Sequence, residues 1–190
     1  VDHQVEDYPL VKLKYGLLVM LFPVIAVDYF LQISYFLGLN PDIITSCCGS
    51  LFDEDGAGVA SAMAGLPEKA TMVTFYAVVL SFLALSGLSL FSQKTIWRYL
   101  QSGCSLILLV TAVAAVISFI SIYIYELPTH HCPFDILQKH YHFIGYPLYL
   151  SLFCGAFFGM LPGMFQPVKR FDSLREAIST CERKWMWWAM

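Results

Sequence analysis

Four stretches of this chain run apolar with hardly a break: about Tyr15 to Gly38, Thr71 to Ser92, Gly103 to Tyr125 and Phe143 to Phe165. Each reaches the roughly 20 residues that an α-helix needs to cross the hydrocarbon core of a bilayer. The runs are continuous and do not alternate with polar residues, which excludes the strands of a membrane barrel. Lipid offers the backbone no hydrogen-bond partner, so spans of this kind must be helices. The pattern therefore predicts an all-α membrane protein with four transmembrane helices in an antiparallel bundle. After the last span, Phe171, Leu174, Ile178 and Trp185 recur at about helical spacing among charged residues. That predicts a C-terminal amphipathic helix lying at the membrane interface.

These spans divide the chain into a short segment at 1–14, a transmembrane domain at 15–165 and a tail at 166–190. Two longer connections, 39–70 and 126–142, lie at one end of the bundle. Within the first, residues 57–64 read as a short helix, with Pro67 just before the second span. The connection between spans two and three is about ten residues, so those two helices pair as a hairpin. No basic, short-apolar, cleavable leader pattern opens the chain, and no signal peptide is expected.

Composition supports the membrane reading. Charged residues make up 13% of the 190 residues and mean hydropathy is +0.65. A soluble domain carries about 25% charged residues. The net charge of −3 is without a basic patch able to track phosphates, which argues against nucleic-acid binding. No G-x-x-x-x-G-K-[ST] or G-x-G-x-x-G motif is present, so no nucleotide is expected.

Charge then orients the bundle. Nine of the eleven Lys and Arg residues fall in the N-terminal segment, the middle connection and the tail; only Lys69 and Lys139 fall on the other side. By the positive-inside rule, both termini face the cytoplasm and the two long loops face outward. The expected location is the inner or plasma membrane, with the lipid bilayer and further membrane or extracytoplasmic subunits as partners.

The outward loops carry the candidate chemistry: Cys47 and Cys48 in one, and His130, His131 and Cys132 in the other. Pro133 suits the first position of a helix, which would put Cys132 at its cap and His140 about two turns along the same face. Thiolates and imidazoles select zinc or copper, so Cys47, Cys48, Cys132 and one of His130 or His131 form a candidate soft-metal site. A disulfide from Cys132 to Cys47 or Cys48 is the structural alternative. If the chemistry is thiol redox, the same three cysteines are the catalytic residues.

Within the first span, Asp28 and Gln32 stand one helical turn apart. A carboxylate at that depth costs about 2.5–3.5 kcal/mol on insertion scales. It is expected to face the bundle or a partner, as a quinone or proton site or in a hydrogen bond with Gln32 or a serine of span three. No C-x-x-C-H motif and no histidine within a span is present, so no haem is expected from this chain alone.

Three functions fit. The first is an integral membrane protein whose extracytoplasmic Cys/His site binds a soft transition metal in a redox or metal-handling assembly. The second is a quinone-coupled thiol–disulfide oxidoreductase. Four spans with cysteines on both outer loops resemble the layout of the quinone-coupled disulfide-generating enzymes and the vitamin K epoxide reductases. Those families use two cysteine pairs, usually with a C-x-x-C, whereas this chain has three outward cysteines and no C-x-x-C. The third is a non-catalytic membrane subunit braced by a disulfide between its outer loops. The sequence does not decide whether the chain is an enzyme.

Overall fold

A computed structural model describes residues 5–38, 58–92, 94–128 and 130–190. Among these residues the fold is entirely helical. Four helical segments are long and apolar enough to cross a membrane: Val11–Leu37, Glu68–Phe91, Thr95–Tyr125 and Gly145–Arg170. We label the α-helices α1 (Val11–Leu37), α2 (Val59–Ala64), α3 (Glu68–Phe91), α4 (Thr95–Ala115), α5 (Ser121–Tyr125), α6 (Gly145–Met164) and α7 (Asp172–Ala189). A π-helical turn, Val116–Ile120, joins α4 to α5 without a break.

Only three of the four spans form the bundle core. Phe75 and Phe82 of α3 meet Leu108, Ala112 and Ala115 of α4 and Phe119 of the π turn. The pairing of α4 with α6 is closer still. Lipid drives no hydrophobic association between helices, so contact there depends on close approach and polar bonds. Gly155, Gly159 and Gly163 recur every fourth residue along α6 and present a flat stripe. A Cβ at Gly159 would come within 2.7 Å of the Phe82 ring, and one at Gly163 within 2.9 Å of the Arg98 carbonyl. Ser102 of α4 fits against this stripe, donating to Met160 O at 2.7 Å and accepting from the Gly163 N–H at 2.7 Å. On the α3 side, Gln101 Nε2 donates to Ser86 Oγ at 3.2 Å.

Of the expected four-helix bundle, three spans pack closely among the described residues, and α1 lies at their side. No residue of α1 is buried. Its first turns approach the others: Leu13, Leu17 and Leu21 border an apolar gap facing Met164, Phe165 and Val168. Just before α1, Asp7 accepts a hydrogen bond from Ser173 at 3.1 Å. The chain pattern could not show this separation, because an apolar side chain satisfies lipid and protein equally.

The third span begins earlier than its hydropathy indicates. The helix starts at Thr95, not near Gly103, and its connection to α3 is short. Arg98 and Gln101 belong to its first turns and are buried. An apolar-run criterion ends at such residues, although each has a partner inside the protein.

The tail is helical as expected, but its inner stripe lies on protein. Leu174, Ile178, Glu182, Met186 and Ala189 are buried, while Trp187 and Trp188 remain exposed. The residue at the centre of that stripe is a carboxylate. Glu182 Oε2 accepts from Arg98 Nε at 2.9 Å and Lys169 Nζ at 2.8 Å, and Oε1 accepts from Gln166 Nε2 at 2.5 Å. A buried charge is tolerable only when it is paired and hydrogen-bonded, and here both oxygens are held. The four residues pin α7 to the start of α4 and to the 3-10 turn Gln166–Arg170 after α6.

Candidate metal centre

At the opposite end of the bundle, the chain leaves α5 and enters residues 126–144. No α-helix follows Pro133. Two 3-10 turns, Asp135–Leu137 and Lys139–Tyr141, take its place. Two local features stop a helix here. Gln138 is extended, and His142 and Phe143 both have positive φ, 53° and 58°. Tertiary contacts hold this path. Tyr125 Oη donates to Cys132 O at 2.5 Å and accepts from the Ile136 N–H at 2.9 Å. Tyr149 Oη donates to Pro133 O. Gly145 opens α6 directly against the loop, where a Cβ would meet Ile136 O at 2.9 Å. The expected helix-cap position for Cys132 is therefore corrected, and His140, exposed, shares no helix face with it.

The same contacts gather three donor atoms. One nitrogen of His130, Cys132 Sγ and one oxygen of Asp135 all lie within 4.8 Å of one another. His130 Nε2 and Asp135 Oδ2 are 2.7 Å apart, a charge-assisted hydrogen bond when the ring is protonated. The other oxygen, Asp135 Oδ1, accepts from Gln138 Nε2 at 2.9 Å. The edge of the His130 ring lies near Tyr125, with centroids 4.9 Å apart. Cys132 is 1% exposed, whereas the His130 side chain is 37% exposed. The group is open on the imidazole side and closed behind the sulfur.

His131 does not belong to this cluster. It is buried, and its Nδ1 lies 3.0 Å from the carbonyl of Ile117 in the π turn. Sequence neighbours on an irregular loop point in different directions, so Asp135 and not His131 stands beside His130 and Cys132. Ser121, the first residue of α5, donates from Oγ back to Val116 O of that π turn at 2.7 Å. π turns often mark functional sites because they re-aim the backbone groups around them.

Cys47 and Cys48 lie outside the described residues, and so does any pairing of either with Cys132. Cys104, Cys154 and Cys181 form no disulfide. Asp28 and Gln32 bond to each other, Gln32 Nε2 donating to Asp28 Oδ2 at 2.8 Å, and both are exposed on α1. Asp28 faces no described residue of the bundle, and Gln32, one of the two hydrogen-bond partners expected for it, is the partner observed.

Chemically, a thiolate, an imidazole and a carboxylate form a donor set found for zinc. Tetrahedral ligation with bonds near 2.0–2.1 Å sets N and O ligands about 3.3 Å apart. The present 2.7 Å is shorter by about half an ångström, so ligation would require the hydrogen bond between His130 and Asp135 to open. That movement is small for two partly exposed side chains. Beside the loop, a cavity of about 420 Å³ is lined almost wholly by apolar groups, among them Ala112, Val116, Pro133, Phe134 and Tyr149.

Asp135 had one legible signal, a carboxylate three residues from the one Cys between the third and fourth spans. Tyr125 and Tyr149 had none, since tyrosines near span ends are commonplace. Glu182 was legible as a charge interrupting an i, i+4 apolar stripe. Comparison with protein-family models, with curated proteins and with solved structures finds no match to this chain.

Proposed function

We propose that this chain is an integral membrane protein that binds a soft divalent transition metal, zinc or copper, in the loop between its third and fourth spans. His130, Cys132 and Asp135 are the ligands, and Cys47 or Cys48 supplies a fourth. The observation that carries this reading is the convergence of three ligand atoms of suitable chemistry within 4.8 Å. A rigid frame supports it, because Tyr125 and Tyr149 fix the backbone on both sides of the sulfur. The segregation of Lys and Arg supports an extracytoplasmic position for this loop and cytoplasmic termini. The tail and the start of α1 meet at the opposite end of the bundle, consistent with that orientation. Redox or metal-handling partners would approach from the exposed imidazole side.

The test is elemental analysis of protein purified in detergent and reloaded with zinc or copper(II). Wild type is expected to retain about one equivalent, and Cys132→Ser and His130→Ala to lose it while keeping helical circular dichroism. A wild-type protein that returns from both metals empty, or a Cys132→Ser variant as well loaded as wild type, rejects the site.

A second reading, quinone-coupled thiol chemistry, draws on the apolar cavity that shares Pro133 and Tyr149 with the loop. Its volume suits a quinone ring. It requires Cys132 to exchange a disulfide with Cys47 or Cys48. Trapping of a mixed disulfide by Cys47→Ser or Cys48→Ser favours this reading over the metal.

A further inference from the structure

The end of the bundle that holds Glu182 also encloses a polar cavity of about 400 Å³. Its walls come from four parts of the chain: the last turns of α3, the start of α4, the 3-10 turn after α6, and α7. Three features of these walls point to the same class of ligand.

The first is charge. Arg98, Lys169 and Arg183 border the cavity, and Glu182 is the one acidic residue among the lining side chains. Glu182 pairs with Arg98 and Lys169 and neutralises one of them. The wall therefore keeps a net positive charge. Glu176 lies on α7 too, but it borders the neighbouring groove with Trp187 and Trp188.

The second is the start of α4. Thr95, its first residue, lines the cavity. The helix has no side-chain cap and no acidic residue in its first turn. The N–H groups of Thr95 and Ile96 have no acceptor within a helix that starts there, and the dipole of a long helix is positive at this point. Such an end is a ready place for a phosphate.

The third is an unmet hydrogen-bonding group. Ser89 is 1% exposed and forms part of the same wall, and its Oγ has no partner. A buried hydroxyl left without a partner is unfavourable, and a ligand that bonds to it removes that cost. A bound oxyanion would accept a hydrogen bond from it.

We propose that this cavity binds a phosphate group, with Arg183 and Lys169 supplying charge and the α4 N-terminus and Ser89 Oγ donating hydrogen bonds. Its place beside the exposed Trp187 and Trp188, at the level where tryptophans meet headgroups, makes the phosphate of an anionic phospholipid the natural source. A soluble phosphate would use the same donors. The site is independent of the loop at the other end of the bundle and of its metal.

The test uses the full chain in non-ionic detergent. Its thermal midpoint and native mass spectrum are followed with dioctanoyl phosphatidic acid, dioctanoyl phosphatidylcholine or inorganic phosphate, at matched ionic strength. Phosphatidic acid should raise the midpoint and bind, and phosphatidylcholine should do neither. Arg183→Gln, at an exposed position, should weaken binding about fivefold. Ser89→Ala should weaken it about two- to tenfold. A midpoint raised by the lipid alone identifies a headgroup site; one raised by inorganic phosphate as well identifies a site for any phosphate. If neither phosphatidic acid nor phosphate shifts the midpoint beyond phosphatidylcholine, or if both variants bind as wild type does, the proposal is overturned.

Discussion

The two ends of this bundle each bring ionisable side chains under cover, yet they treat them differently. Around Glu182, both carboxylate oxygens are held, by Arg98, Lys169 and Gln166, and the acid itself is 1% exposed. Around His130, Cys132 and Asp135, one member is sealed in and another is more than a third open to solvent. A carboxylate with both oxygens engaged holds helices together. A half-open group of mixed donors keeps room for an incoming ion. Partner count and access, more than residue type, distinguish a brace from a binding site.

That contrast is most directly broken at Glu182. Replacement by Ala leaves Arg98 buried without its carboxylate, and is expected to cost about 3–5 kcal/mol. Thermal unfolding in detergent measures it. The double replacement Glu182→Met with Arg98→Met should recover most of the loss, because burying two apolar chains carries no desolvation penalty. Failure of that rescue would show that the pair does more than brace.

At the other end the effects should fall on binding before stability. Asp135→Asn keeps the shape and removes the charge, and is expected to reduce metal affinity about 10- to 100-fold, read by competition with a chelator. Tyr125→Phe removes an Oη that both donates to Cys132 O and accepts from the Ile136 N–H. It should cost about 1–3 kcal/mol and loosen the loop, visible as faster amide exchange at Ile136. The smallest effect belongs to α1. Asp28→Leu removes a side chain that, among the described residues, bonds only within its own helix and is exposed, so bundle stability should change by less than about 0.5 kcal/mol. A larger loss would mean that Asp28 has a partner on the bundle.

Much of the fold was legible along the chain. The four apolar runs gave the spans, and the tail periodicity gave α7. The short helix near residues 57–64 was legible too, observed as Val59–Ala64. What was missed shares one cause. Arg98 and Gln101 read as loop because hydropathy cannot see a buried partner 84 or 15 residues away. Pro133 read as a helix start because a tyrosine from α5 and another from α6 act on that loop only in three dimensions. The glycine stripe at 155, 159 and 163 stood in plain view, and its meaning depended on Ser102 and Phe82 lying opposite.

The candidate site divides in the same way. His130 and Cys132 were legible as donors by type and proximity in the chain. His131 was equally eligible by those criteria, and the carbonyl of Ile117 took it elsewhere. Asp135 entered because two short 3-10 turns replaced an expected helix and brought its carboxylate back toward the imidazole.

By itself, the sequence determined which segments are apolar and long enough to cross a membrane. Twenty apolar residues in a row must leave water, and their backbone must then close its own hydrogen bonds as helix. Only the tertiary structure decided which helices touch and which donors converge. Lipid and protein are equally apolar neighbours, so hydropathy is blind to the choice between them. That choice was made by small residues that let backbones approach and by polar side chains whose partners lie far along the chain.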